Sequence, residues 1–172
     1  ALDKQGLKPE DIDIVIQTHL HFDHCGNTAK CVNAKVIVQE DELRFALSPH
    51  PLYAPIYGLE LLRGVKFVPV KGDTEIVKGV KVLHTPGHTP GSQSVAVETA
   101  KGTAIITGFC CIEDVFEVPE QVQQLFRTWL VFTPGIHCDA LAAFDSALRV
   151  KGMADILIPL HGLKVKEMKE IP

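Results

Sequence analysis

The sequence predicts a β-rich α/β protein in one domain across residues 1–172. Three observations carry that reading. Short runs of β-branched residues recur along the chain, set off by Gly, Pro, Asn and Asp. One segment, residues 139–153, instead repeats its apolar residues near helical spacing. Side chains of the kinds that bind metals fall at the ends of the apolar runs or just beyond them.

Taken in order, Lys8-Pro9-Glu10-Asp11 reads as a turn, and residues 12–17 (IDIVIQ) as a buried strand. Residues 34–39 (AKVIVQ) make a second strand. Residues 40–47 (EDELRFAL) make a short helix with acids in its first turn, favourable to the helix dipole. Pro49, Pro51 and Pro55 keep residues 48–57 irregular, and residues 59–63 read as a helical turn. Strands follow at 66–70, 74–77, 80–84, 93–98 and 103–107, with hairpin turns at 77–80 and 99–102. Residues 115–134 read as irregular and substrate-facing. Residues 139–153 form an amphipathic helix, and residues 155–160 (DILIPL) a last strand.

Composition narrows the function classes. Apolar residues make up 46% of the chain and charged residues 22%, ordinary for a packed core. The net charge of −4 comes from interspersed signs without a basic run, which speaks against nucleic acid and anionic membranes as partners. No apolar stretch approaches the roughly 20 residues that span a bilayer, and ALDKQGLKPEDID lacks the regions of a signal peptide. Five cysteines without a CxxC pair give no disulfide framework, so a cytoplasmic location is expected.

The segment THLHFDHCGNT, residues 18–28, crowds His19, His21, Asp23 and His24 behind an apolar strand. Neutral imidazole and carboxylate are the ligands that zinc and similar ions take. In extended chain, residues two apart point to one side, as His19 and His21 would. Asp23 and His24 follow where the chain must turn. Four ligands are too few for two ions. His88, inside HTPGHTPGSQS, and His161, inside LIPLHG, are the further candidates, and both also lie at strand ends or in the loops beyond.

Together these motifs resemble the metallo-β-lactamase superfamily of metal-dependent hydrolases. H-L-H-F-D-H, T-P-G-H-T-P-G, Thr107-Gly108 and P-L-H-G run in the family's order over nearly the whole chain. TPGHTPGSQS looks most like the N-acyl-homoserine lactonase and glyoxalase II branches, and the Gly-Phe-Cys-Cys and PGIH stretches favour the lactonase-like one. The resemblance implies an αβ/βα sandwich with metals at one edge of two sheets. It implies one ion on His19, His21 and His88, a second on Asp23, His24 and His161, and a hydroxide between them that attacks a lactone or ester carbonyl. Two divalent ions are expected, zinc first, with iron or manganese as alternatives. Asp23 would also orient the hydroxide or pass a proton to the leaving alkoxide. The other readings carried are a glyoxalase II-like thioesterase, a mononuclear iron sulfur dioxygenase and a non-catalytic metal-binding relic.

The sequence departs from the pattern twice. Phe109 stands where the family carries an Asp that bridges the metals, and Phe cannot ligate. Cys110 or Cys111 would supply a thiolate instead, with Cys110 the expected ligand. Bridging by hydroxide alone, a single-metal site, and substitution by Glu113 or Asp114 stay open. Secondly, HxHxDH begins at residue 19, where the family places several strands first. The expectation is a chain without the first strands, completed by a homodimer partner or a second chain.

The remaining candidates have weaker claims. His50 reads as a loop residue and His84 as a hydrogen-bonded structural residue, with a role behind a metal-bound histidine as its alternative. His137 reads evenly between structure and substrate mouth. Cys25, Cys31 and Cys138 read as core. Phe109, Phe116, Phe126, Trp129 and Phe132 read as core before pocket lining.

Overall fold

A computed structural model describes residues 2–164. Among these residues, eight strands form two sheets. β1 (Ile14–Ile16), β2 (Lys35–Gln39) and β3 (Lys66–Val70) make a parallel three-stranded sheet in that order. β4 (Thr74–Val77), β5 (Val80–His84), β6 (Gln93–Thr99) and β7 (Gly102–Ile106) run as an antiparallel meander. β8 (Ile156–Ile158) joins β7 in parallel. Such a pairing needs a crossover, and α3 (Glu120–Leu125) and α4 (Ala140–Met153) lie within it. α1 (Phe22–Cys25) lies between β1 and β2, and α2 (Glu40–Leu47) between β2 and β3.

Each sheet buries one face against its helix. Val38 of β2 packs with Ala46 of α2, Leu20, Cys25 and Tyr57. Leu83 of β5 and Ile105 of β7 pack with Ala147 and Val150 of α4. Val82 and Ala104, beside Leu83 and Ile105 in the same strands, are buried too. Successive strand residues point to opposite faces, so both faces of the meander sheet are covered. The layers therefore run helix, sheet, sheet, helix, the expected αβ/βα sandwich.

Polar side chains join the sheets where the motif loops leave them. Gln93 donates from Nε2 to the Gln17 carbonyl at 2.9 Å, and Gln39 donates from Nε2 to Gln93 Oε1 at 2.9 Å. The Gln93 N–H also bonds the Thr18 carbonyl at 2.9 Å. These bonds fix the loop after β1 against the start of β6.

Several expectations change. The strand expected at 12–17 is limited to Ile14–Ile16. The turn after His21 is a helical turn, α1, made when the His21 carbonyl accepts the N–H groups of His24 and Cys25, both at 3.0 Å. Residues 115–134 are not wholly irregular, since they contain α3. Among the described residues β1 pairs only with β2 and leaves its other edge without a strand.

Candidate metal centre

Leu20 is fully buried, and in the extended segment after β1 this turns its neighbours His19 and His21 together to the other side. His88 arrives from the loop between β5 and β6. Gly87 has φ of +124°, and a Cβ there would lie 2.2 Å from the Ala143 backbone nitrogen. Only glycine accepts both conditions. The Gly87 carbonyl receives the N–H groups of Cys138 at 2.7 Å and Asp139 at 3.0 Å, which seats the loop on the start of α4.

Two groups result. His19, His21 and His88 place their ligand atoms within 4.8 Å of one another, and so do Asp23, His24 and His161. The first group is buried; Asp23 and His161 are exposed and His24 half-buried. The groups adjoin, with the His19 and His24 ring centroids 4.4 Å apart. His24 and His161 rings lie 5.2 Å apart, and His24 Nε2 is 3.2 Å from Asp23 Oδ2.

The electrostatics suit lone-pair donors. Burial holds His19 well below the ordinary imidazole range, reinforced by the neighbouring His88, His21 and His24. Burial lowers His21 to about 4, with His88 adding to it. His24 and His88 are lowered chiefly by burial as well. His88 Nδ1 bonds the Ile136 carbonyl, which sets the proton on Nδ1 and leaves Nε2 a lone pair. Ile136 adopts φ of +45° to make that contact, an uncommon conformation for a β-branched residue. His88 Nε2 lies 3.3 Å from His19 Nε2. His21 Nε2 is buried with no hydrogen-bond partner at all. Buried polar atoms are seldom left unpaired, and three neutral imidazoles converging around such an atom fit a divalent cation.

The other sequence candidates lie elsewhere. Cys110, the expected seventh ligand, belongs to neither group. Its thiol is half-buried, and burial and the Asp23 charge push it up, away from thiolate. Cys111 is buried, lies 3.1 Å from the Thr107 hydroxyl and is raised to about 11. Phe109 is fully buried in the cluster around Leu83 and Ile105. Glu113 does not stand in for the missing Asp, because its carboxylate accepts the Leu163 and Lys164 N–H groups. His84 holds the Pro90 carbonyl at 3.1 Å and His50 the Leu52 N–H at 3.2 Å. His137 bonds the Pro134 carbonyl at 2.8 Å. Phe126, Trp129 and Ile136 are exposed, and a cavity of about 500 Å³ is lined by Trp129, Phe132, Leu141 and Phe144.

Two contributors were missed in the sequence. Glu42 is fully buried and bonds both histidine-bearing loops. Helical spacing was the available signal, because Glu42 lies one turn before the apolar Ala46 and beside Leu43. Ile136, holding His88 through its carbonyl, left no signal in its side chain.

Known proteins share the sequence family and the fold. The chain matches the metallo-β-lactamase superfamily over residues 1–155. An N-acyl homoserine lactonase of Bacillus sp is 38% identical over 105 residues, covering 61% of this chain and 40% of that protein. Metallo-beta-lactamase domain-containing protein 1 of Mus musculus is 33% identical across 99% of this chain and 56% of its own length. A solved N-acyl homoserine lactone hydrolase with N-hexanoyl-L-homoserine at its catalytic metal centre superposes with a TM-score of 0.76. It is 29% identical, and the match covers 99% of this chain and 64% of that one. The chain thus spans well under two thirds of the curated lactonase it matches. With the motif order, the layered sheets and the two adjoining ligand groups all in agreement, the chain belongs to the metallo-β-lactamase superfamily.

Proposed function

We propose that this chain carries the catalytic centre of a metal-dependent hydrolase that opens a lactone ring. The observation that carries the reading is the convergence of His19, His21 and His88 around an unpartnered His21 nitrogen, beside Asp23, His24 and His161. Lactone hydrolases among its relatives and structural neighbours favour lactone over thioester hydrolysis or sulfur oxidation. Five imidazoles and one carboxylate suit zinc. Divalent cations held there supply Lewis acidity toward a carbonyl oxygen and lower the pKa of water.

The chain's own groups divide the remaining work. The buried histidines keep bulk water from one side of the centre, while Asp23 and His161 leave the other side open to substrate. Asp23 Oδ2, beside His24 Nε2, accepts a proton from the attacking water and returns one to the leaving alkoxide. Five free cysteines suit a reducing cytoplasm. No helix among the described residues is long and apolar enough to cross a membrane.

Metal content per chain and lactone hydrolysis, measured on protein purified without chelator, test the reading. Two zinc equivalents with lactonase activity are expected, and His21→Ala should lose metal together with activity by about 100-fold or more, since a ligand is removed rather than reoriented. A chain that binds no divalent metal after incubation with excess zinc would sink it.

A further inference from the structure

The carboxylate of Glu42 sits behind the histidine loops with 0% of the residue exposed. Three donors surround it. Leu20 donates its N–H to Oε1 at 2.8 Å, and the Tyr57 hydroxyl donates to the same oxygen at 3.1 Å. The Thr89 hydroxyl donates to Oε2. Two carboxylate oxygens offer about four lone-pair sites, so these groups fill most of them. No lysine or arginine forms an ion pair with it among the described residues.

The donors come from both histidine-bearing segments. Leu20 stands between His19 and His21, and Thr89 follows His88. Those segments are 69 residues apart, measured from His19 to His88. Tyr57 connects the carboxylate to a third point, since its ring meets the His21 ring edge-on at a centroid distance of 4.9 Å. The fit is close, because a Cβ at Gly91 would lie 2.0 Å from the Glu42 nitrogen. A buried carboxylate without a cationic side chain is a poor source of stability, and an apolar residue of similar size would fill the space without desolvating a charge. Its geometry instead fits the task of holding two loops in one register.

We propose that Glu42 is a positioning residue: its carboxylate locks the His19–His21 segment to the His88 loop and so sets the affinity of the triple-histidine group for a divalent cation. The proposal rests on the metal-binding reading above and adds to it a residue that touches neither cation nor substrate. Groups that orient metal ligands from behind typically change metal affinity about 10–100-fold when removed. Because Glu42 touches the segments of the buried group alone, its loss should weaken one of two cation-binding steps.

The test is a zinc titration of the whole chain against a chromophoric chelator, with circular dichroism to monitor folding. Wild type, Glu42→Gln and Leu43→Ala are compared; Leu43 lies on the same helix and packs in the same apolar cluster. Glu42→Gln should weaken one zinc step by about 10–100-fold and leave the other near wild type. Leu43→Ala should lower thermal stability with zinc affinity unchanged. A folded Glu42→Gln that binds both zinc ions as wild type does, or weakens both steps equally, overturns the proposal. Should Glu42→Gln not fold, Thr89→Val and Tyr57→Phe decide, each removing one donor and leaving the carboxylate. A several-fold loss in one step supports the proposal, and wild-type affinity in both variants overturns it. Wild type that binds no zinc overturns the metal reading and this proposal together, whereas a wild type that binds beside an unaffected Glu42→Gln overturns this proposal alone.

Discussion

Phe109 follows Thr107-Gly108, where a bridging carboxylate was expected, yet its ring lies in the core, 6.4 Å from the Phe116 ring centroid and fully buried. The two ligand groups assemble without it. Restoring the family residue with Phe109→Asp would therefore put a carboxylate into an apolar cluster. The expected outcome is a loss of about 3–5 kcal/mol, the usual cost of removing a large buried aromatic side chain, read from urea unfolding. A variant as stable as wild type that gains metal affinity would contradict this account. At the same scale the candidate ligands His19, His21 and His24 were legible because histidines packed into a few residues behind a strand have few structural uses, and His88 and His161 because they sit in short motifs at strand ends. Glu42 was not. A glutamate in the first turn of a helix reads as a favourable charge at the dipole, and its burial is decided by Tyr57, Thr89 and Gly91, which arrive from other segments.

The helix and strands from 66 to 84 and from 40 to 47 were legible to the residue, because period-two and helical patterns there are bounded by turns. α1 and α3 were not. α1 is a single turn held by the His21 and Phe22 carbonyls, too short to show a period. α3 follows Pro119 as its N-cap residue and has no buried residue, so no apolar stripe marks it. α4 depends on what precedes it. Asp139 caps it by accepting the Leu141 N–H at 2.9 Å and the Ala142 N–H at 3.0 Å, while Gly87 seats against its first turns. Gly87→Ala should displace α4 from the His88 loop. Thermal unfolding should show a loss of at least about 1 kcal/mol, since a Cβ is forced both into the left-handed region and against backbone. Zinc affinity should fall with it. An unchanged melting temperature would mean that the loop and α4 are not packed as described.

Across the whole molecule, the fold gathers five imidazoles around one edge of two sheets. His19, His21, His24 and His88 are all lowered below their ordinary value, by burial first. In metal-free protein the unfolded chain, with imidazoles near 6.5, then binds more protons than the folded one in mildly acid solution. For His21 that window runs from 6.5 down to about 4. Above it both states are neutral and the groups contribute nothing to pH dependence. Glu42, raised by burial, works in the opposite direction, but four imidazoles outnumber it. Chelator-treated protein should therefore have a lower denaturant midpoint at about pH 5 than at about pH 7.5. A midpoint that stays level or rises on acidification would show that these histidines are not buried neutral in the folded chain.

The sequence by itself determined most of the strands and the helices at 40–47 and 140–153, and brought forward six candidate ligand side chains, while the αβ/βα layering followed from the resemblance that its motifs carry. Strands and helices are local, written in periodicity, and the candidate ligands are written in short motifs. Tertiary structure alone decided that Cys110 stays outside both ligand groups, that Phe109 turns into the core, and that Glu42 joins two loops from behind. Each of these depends on which surfaces meet when the Gln39–Gln93 bond and its neighbours bring the sheets together. A side chain's surroundings there are supplied by residues tens of positions away, and no local pattern records them.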